Sequence, residues 1–514
     1  MQGNKLEFSE GFLFTDLYQL TMAQLYWRTG ICNKRAQFDY FFRSYPDYGS
    51  HKAGFCIAAG LGSIIEWMQK ARCGEKEIKN LKQVKSRSGR RLFEDNFLNW
   101  LKENGNFEGI NIRAVKEGRV VHPVEPVAVI EGELAVAQIL ESPFLNIMNY
   151  QTLVATKAAR VKEAGGSNPV LEFGLRRAQG KGANQGTRAA LIGGADFSSN
   201  TAISFELGFP PKGTHAHSMV QAFMALGADE LAAFTEYANL YPDDCLLLVD
   251  TIDTLESGIP NAIKVFEKLK STGHKPVGIR LDSGDLAYLS IKAAKMLNDA
   301  GFGDTMIVLS NQLDEMVIWQ ILSQIKRDAE SYGVDPDDVI NRLAYGVGTS
   351  LITSRGASAL DGVYKLSAVK DGGNWSPAMK VSQTPSKMTN PGFKKLWRIY
   401  DERGKASADM IALSDENPET EYELKLHHPI ESGKHRTVKK SQIKKIEPLL
   451  ADIVKNGSVC GEIESIDKIR ETRQKDMEML DTGVKRPVNP HIYHISLSRK
   501  LWKLKQQMLE ENEQ

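Results

Sequence analysis

Through the middle of this chain, short apolar runs alternate with helical stretches. The runs are PVLEFG (169–174), CLLLVDT (245–251), PVGIRLDSGD (276–285), MIVLSNQ (306–312) and LAYGVGTS (343–350). A strand buried on both faces reads as a continuous apolar run, and a parallel neighbour is reached only through a long crossover, usually a helix. The intervening stretches have that character. NAIKVFEKLKSTG stops on Gly273, and LAYLSIKAAKMLNDAG has Ser283 or Asp285 as N-cap and Gly301 as its stop. From about 169 to 354 the sequence therefore specifies a parallel α/β sheet, closed as a barrel or open.

Such sheets carry their chemistry at the carboxyl ends of the strands. Here those ends hold Glu172, Asp250, Arg280, Asp282, Asp285, Ser310, Asn311 and the turn Gly346-Val347-Gly348-Thr349. Any one of these is accounted for by helix capping or turn formation. Their recurrence at the same end of successive strands indicates a polar, partly acidic pocket. Carboxylates suit a hydrated magnesium ion carried by a polyphosphate, and the GVGTS turn offers backbone N–H groups and hydroxyls to a phosphate. KGTHAHSMV (212–220) sets His215 and His217 where a loop becomes a helix. A helix start attracts anions, and imidazole serves as base or phosphoryl acceptor.

Two other site classes are disfavoured. GLRRAQGKGANQG (174–186) is Gly-rich and basic, yet it lacks Walker A spacing and no Ser or Thr follows Lys181. The HxH pair also suits a metal-dependent amidohydrolase, which needs further histidines on later strands. His274 precedes its strand, and His427, His428, His435, His491 and His494 all fall in the C-terminal segment.

The 65 Lys and Arg balance the 64 Asp and Glu, so no electrostatic footprint for nucleic acid or membrane is expected. Cys32, Cys56, Cys73, Cys245 and Cys460 have no CxxC spacing, which fits a reducing cytoplasm. MQGNKLEFSE lacks an apolar signal-peptide stretch, and no run reaches membrane-spanning length. Before the repeats, the sequence predicts a helix over 16–27, a strand over 38–43, a helix after Gly60-Leu61-Gly62, a solvated polar segment over 75–91, and short strands with turns over 120–132. The expected organisation is an N-terminal α/β domain (1–150), an α/β barrel domain (151–400) and a C-terminal segment (401–514).

The stretches TDLYQLTM, FDYFFRSYP, GFCIAAGL, NYQTLVATKAAR, EFGLRRAQG, KGTHAHS, LLVDT, IRLDSGDL, LSNQLDE and YGVGTSL together resemble the nicotinate phosphoribosyltransferase family, of the type II phosphoribosyltransferase group. The resemblance runs in family order from about residue 14 to about residue 400; the tail is only loosely similar. It implies an irregular α/β barrel with an additional α/β domain built from N-terminal and other segments, plus a C-terminal segment. The implied activity is an ATP-hydrolysing ligase of NAD salvage, which moves phosphoribose from 5-phosphoribosyl 1-diphosphate to nicotinate with magnesium. ATP is its co-substrate, and diphosphate, ADP and phosphate are by-products. A homodimer with a shared site is implied: Tyr18 of one subunit and Phe173 of the other sandwich the pyridine ring.

The same resemblance suggests roles for single residues. Arg280 pairs with the nicotinate carboxylate, and Thr214 is a further contact. Arg176 and Thr349 hold the phosphoribosyl diphosphate, with Ser310, Asn311, Gly346 and Gly348 also expected at the substrates. Asp250, Asp282 and Asp285 order magnesium and ribose hydroxyls; Asp282 and Asp285 are the expected magnesium carboxylates and, with His217, the expected catalytic groups. His217 aligns with the histidine that ATP phosphorylates, whereas His215 occupies a variable position and inherits no role. The nicotinamide and quinolinate enzymes share the barrel and are the alternative readings.

Overall fold

The computed structural model describes residues 11–382, 388–431 and 433–513. The chain divides into two compact units: 154–358, and 1–153 together with 359–514.

In the unit 154–358 the expected strands form one parallel sheet. They are β1 (Val170–Glu172), β2 (Phe197–Ser198), β3 (Leu246–Leu248), β4 (Gly278–Leu281), β5 (Met306–Leu309) and β6 (Leu343–Val347), in spatial order β2-β1-β6-β5-β4-β3. Every neighbouring pair is parallel. The sheet stays open, a curled half-barrel within the expected α/β barrel class. The sequence did not single out β2. Only two residues long, it carries no periodicity and is defined by the register Leu171↔Phe197 and Glu172↔Ser198.

The crossover helices obey their caps. Asp285 caps Leu286–Asp299 by accepting from the N–H groups of Ala287 and Tyr288, each at 3.1 Å, and Asp314 caps Glu315–Asp328 in the same way. One buried ion set locks the unit. Glu315 receives Lys157 Nζ at 2.6 Å and Arg160 Nε at 2.9 Å, all three side chains being almost inaccessible. Lys157 and Arg160 belong to the NYQTLVATKAAR stretch, so their work here is structural. Removing one member of such a set leaves an uncompensated buried charge, at a cost of roughly 3–5 kcal/mol.

Among the described residues, the other unit holds a seven-stranded and a six-stranded sheet, with a further two-stranded pair. In the first, Gly362–Asp371 and Ala128–Glu133 flank Arg35–Phe42, all antiparallel. The second is built from Lys394–Asp401, Ala406–Leu413, Glu423–His427, His435–Lys439, Ile443–Pro448 and His494–Leu497. Arg398 ties its segments together. It donates to both oxygens of Asp409 (2.9 and 2.7 Å), to Asp476 Oδ2 (3.0 Å) and to the Val120 carbonyl (2.9 Å). Contacts thus divide the chain near 153 and 358, where the sequence reading drew boundaries at 150 and 400. The difference is the stretch after 358. Its strand Gly362–Asp371 pairs with Arg35–Phe42, a long-range register that periodicity does not reveal.

Candidate active site

Because β1 to β6 run in one direction, their carboxyl ends place Phe173, Asp250, Asp282, Ser310 and Gly348 along one rim. Two clusters form there. The first is aromatic and cationic: the Arg280 guanidinium carbon lies 5.5 Å from the centroid of the Phe173 ring, within cation–π range. Arg280 is held from behind, since its Nε donates to Ser310 Oγ at 2.9 Å and its Nη2 to Asp282 Oδ1 at 3.1 Å. Ser310, buried, also hydrogen-bonds Asp282 Oδ1. Its hydroxyl serves to orient the arginine and the aspartate. Nη1 has no acceptor among the described residues, so the outer edge of the fork is available to an anionic ligand.

Gly346 gives the ring its room. A methyl group there would sit 2.5 Å from Phe173 Cε2 and 2.6 Å from Cδ2. Gly346→Ala is therefore expected to push the Phe173 ring out of place, at about 1–3 kcal/mol in stability. A thermal melt checks this; an unchanged melting temperature would show that the ring tolerates the methyl group. Beside Phe173 a cavity of about 230 Å³ extends towards the amino ends of the strands, where Pro169, Asp244, Val277 and Met306 border it; Thr214 also lines it, and Arg280 does not.

The second cluster surrounds His217, the first residue of helix His217–Ala225. Its Nδ1 shares a hydrogen bond with Thr251 Oγ1 at 3.1 Å, while Nε2 faces Asp282 Oδ2 at 3.8 Å and Asp250 Oδ1 at 3.9 Å. The Asp250 side chain is buried. Its Oδ2 accepts from the Asp282 N–H at 3.1 Å and from Ser283 Oγ, whereas Oδ1 has no hydrogen-bond partner among the described residues. A buried carboxylate oxygen of this kind is satisfied by an ordered water or by a cation.

Other expected residues take different places. Asp285 caps its helix and is exposed, its free oxygen reaching only Gln324 at 3.5 Å, so its carboxylate is not drawn into either cluster. Thr214 borders the cavity, but its hydroxyl donates to the Leu246 carbonyl at 2.9 Å. Arg176 lies exposed on the turn Leu175–Arg177, and Thr349 lies exposed at the start of Thr349–Ile352. Asn311 and Gln312 follow β5 with φ of +88° and +50°, a left-handed bend of the kind that gathers at ligand sites. Tyr18, in the other unit, is 50% exposed on helix Leu17–Arg28. Glu172 is structural: it is buried and accepts from the Gly174 N–H, Thr187 Oγ1 (3.0 Å) and Ser198 Oγ (2.7 Å).

His215 is turned to the edge of the sheet. Its Nε2 accepts from the Leu248 N–H at 3.0 Å, and burial pushes its pKa down to about 4. The two rings of the HxH pair thus serve different partners. Among the described residues, no three His, Cys, Asp or Glu side chains are grouped to hold a metal.

Comparison with known proteins gives a consistent result. Three family models match in order: the nicotinate phosphoribosyltransferase N-terminal domain (13–149), the nicotinate phosphoribosyltransferase family (170–401) and the C-terminal domain (393–505). The Bacillus subtilis nicotinate phosphoribosyltransferase is 38% identical over 501 residues, covering 97% of this chain and 95% of the relative. The Homo sapiens enzyme is 32% identical, covering 95% of each. The crystal structure of human nicotinic acid phosphoribosyltransferase superimposes with a TM-score of 0.78 at 29% identity, over 96% of this chain and 99% of that one.

Proposed function

Because the chain belongs to the nicotinate phosphoribosyltransferase family, with similarity over nearly its whole length, we propose that its two rim clusters divide the family's reaction between them. The protein is an enzyme of NAD biosynthesis that transfers phosphoribose from 5-phosphoribosyl 1-diphosphate to nicotinate. The observation that carries the site reading is the pairing of Phe173 with Arg280. The ring takes one face of the pyridine, and the outer edge of the guanidinium fork takes the carboxylate. Transfer passes through an oxocarbenium-like centre, so the protein's contribution is alignment and charge stabilisation.

His217 accepts the terminal phosphoryl group of ATP. ADP leaves, and water later cleaves the nitrogen–phosphorus bond, so that phosphate departs and ATP hydrolysis is coupled to mononucleotide formation. The unsatisfied Asp250 oxygen, with Asp282 beside it, would hold a hydrated magnesium ion, which would supply positive charge against the diphosphate. Asp285 contributes through the helix it caps. Arg176, Asn311, Gly348 and Thr349 contact the phosphoribosyl diphosphate.

The working form is a homodimer. Phe205, Met224 and Leu226 stand 69, 43 and 88% exposed, and helix His217–Ala225 buries only Val220. Exposed large apolar side chains of this kind are available to a second subunit, and the half-exposed Tyr18 completes the pyridine sandwich from the other subunit. A cytoplasmic setting agrees with five free cysteines and with the absence, among the described residues, of a helix long and apolar enough to cross a membrane. Mixing Tyr18→Ala and Arg280→Gln homodimers tests the shared site. Each alone is expected to be weak, and subunit exchange should restore one sound site per heterodimer. Verified exchange with no recovery would overturn it.

A further inference from the structure

β3 is one of the two edge strands of the parallel sheet, and the segment leading to His217 is fastened to it by side chains. Cys245 and Val249 bond the neighbouring strand through Val277 N–H to Cys245 O (2.9 Å) and Val249 N–H to Arg280 O (3.2 Å). The alternate residues Leu246 and Leu248 turn their peptide groups outward. Thr214 Oγ1 donates to the Leu246 carbonyl at 2.9 Å, and the Leu248 N–H donates to His215 Nε2 at 3.0 Å. His217 then meets Thr251 at 3.1 Å. Residues 214, 215 and 217 thus engage 246, 248 and 251 in the same direction along the chain.

The His215 ring is seated edge-on to Tyr237 at 5.0 Å and near Phe234 at 6.1 Å. Its Nδ1 lies 3.4 Å from the Ala216 carbonyl, which suits the tautomer that leaves Nε2 as acceptor. Burial keeps that acceptor unprotonated down to about pH 4.

We propose that His215 is a positioning residue for the coupling reaction, clipping the loop to the sheet edge so that His217 is set against Thr251, Asp250 and Asp282. The proposal rests on His217 as phosphoryl acceptor. Three variants separate the acceptor atom from the ring. His215→Phe keeps a ring for Tyr237 and Phe234 but has no acceptor. His215→Gln returns an acceptor near the position of Nε2, and His215→Met matches Gln in length without one. Full-length wild type and variants are incubated with magnesium and ATP labelled at its terminal phosphate, and the rate of phosphohistidine formation is read beside the melting temperature.

His215→Phe and His215→Met are expected to label His217 about tenfold more slowly, the scale of one lost hydrogen bond. The ratio of ATP-stimulated to ATP-independent turnover should fall towards one in both. His215→Gln should recover most of the rate, and the Gln and Met pair decides the matter if His215→Phe melts early. Labelling of both Phe and Met variants at the wild-type rate, or a Gln variant as slow as Met, overturns the clip. A wild type that forms no phosphohistidine removes the His217 reading, and the clip with it.

Discussion

Replacing Arg280 by glutamine is expected to raise the KM for nicotinate by about 30- to 1,000-fold. That factor corresponds to about 2–4 kcal/mol, the usual cost of stranding one partner of a desolvated charge pair. Glutamine can still donate one hydrogen bond, but it brings neither the positive charge nor the fixed fork. The effect should be specific to the carboxylate. Arg280 is oriented by Ser310 and Asp282, and in the proposed site the ring rests on Phe173, so nicotinamide, which has no carboxylate, should lose much less. Initial-rate kinetics with both bases test this. An unchanged KM for nicotinate would sink the assignment.

The second large effect concerns His217. His217→Ala should abolish ATP hydrolysis and the acid-labile, alkali-stable phosphoprotein, yet leave slow formation of mononucleotide from nicotinate and phosphoribosyl diphosphate. The two activities are expected to separate because the proposed pyridine cluster stands on the ends of β1, β4 and β5, whereas His217 is delivered by a loop lying along β3 and meets that cluster at Asp282. Peptide mapping after incubation with terminally labelled ATP gives the readout. A label on His215, or a fully ATP-stimulated His217→Ala enzyme, would contradict the account.

Much of the sheet was legible in the sequence because its strands are short, continuous apolar runs between helical stretches with Asp caps and Gly stops. β2 escaped because two residues carry no period. The pairing of Arg35–Phe42 with Gly362–Asp371 escaped because register between segments more than 300 residues apart leaves no local mark. The site shows the same division. Strand-end position pointed to Asp250, Arg280 and Asp282. Position alone did not distinguish Asp285, which caps a helix, from Asp282, which holds Arg280; nor did it reveal that Glu172 is spent inside the fold. His215 and His217 differ in the partner each ring meets, the Leu248 N–H for one and the Thr251 hydroxyl for the other. An acceptor role on a sheet edge has no sequence signature, although the Thr-His spacing opposite an edge strand is a pattern that could be searched for.

One assay bears on the central claim most directly: product formation from nicotinate, nicotinamide and quinolinate, each with 5-phosphoribosyl 1-diphosphate and magnesium, with and without ATP. The expected result is nicotinate mononucleotide, formed faster with ATP and with ADP released, and a kcat/KM for nicotinate roughly a hundredfold or more above that for the other two bases, as a site built around a carboxylate-binding arginine requires. Equal or better use of nicotinamide, or decarboxylation of quinolinate with no reaction on nicotinate, would contradict it.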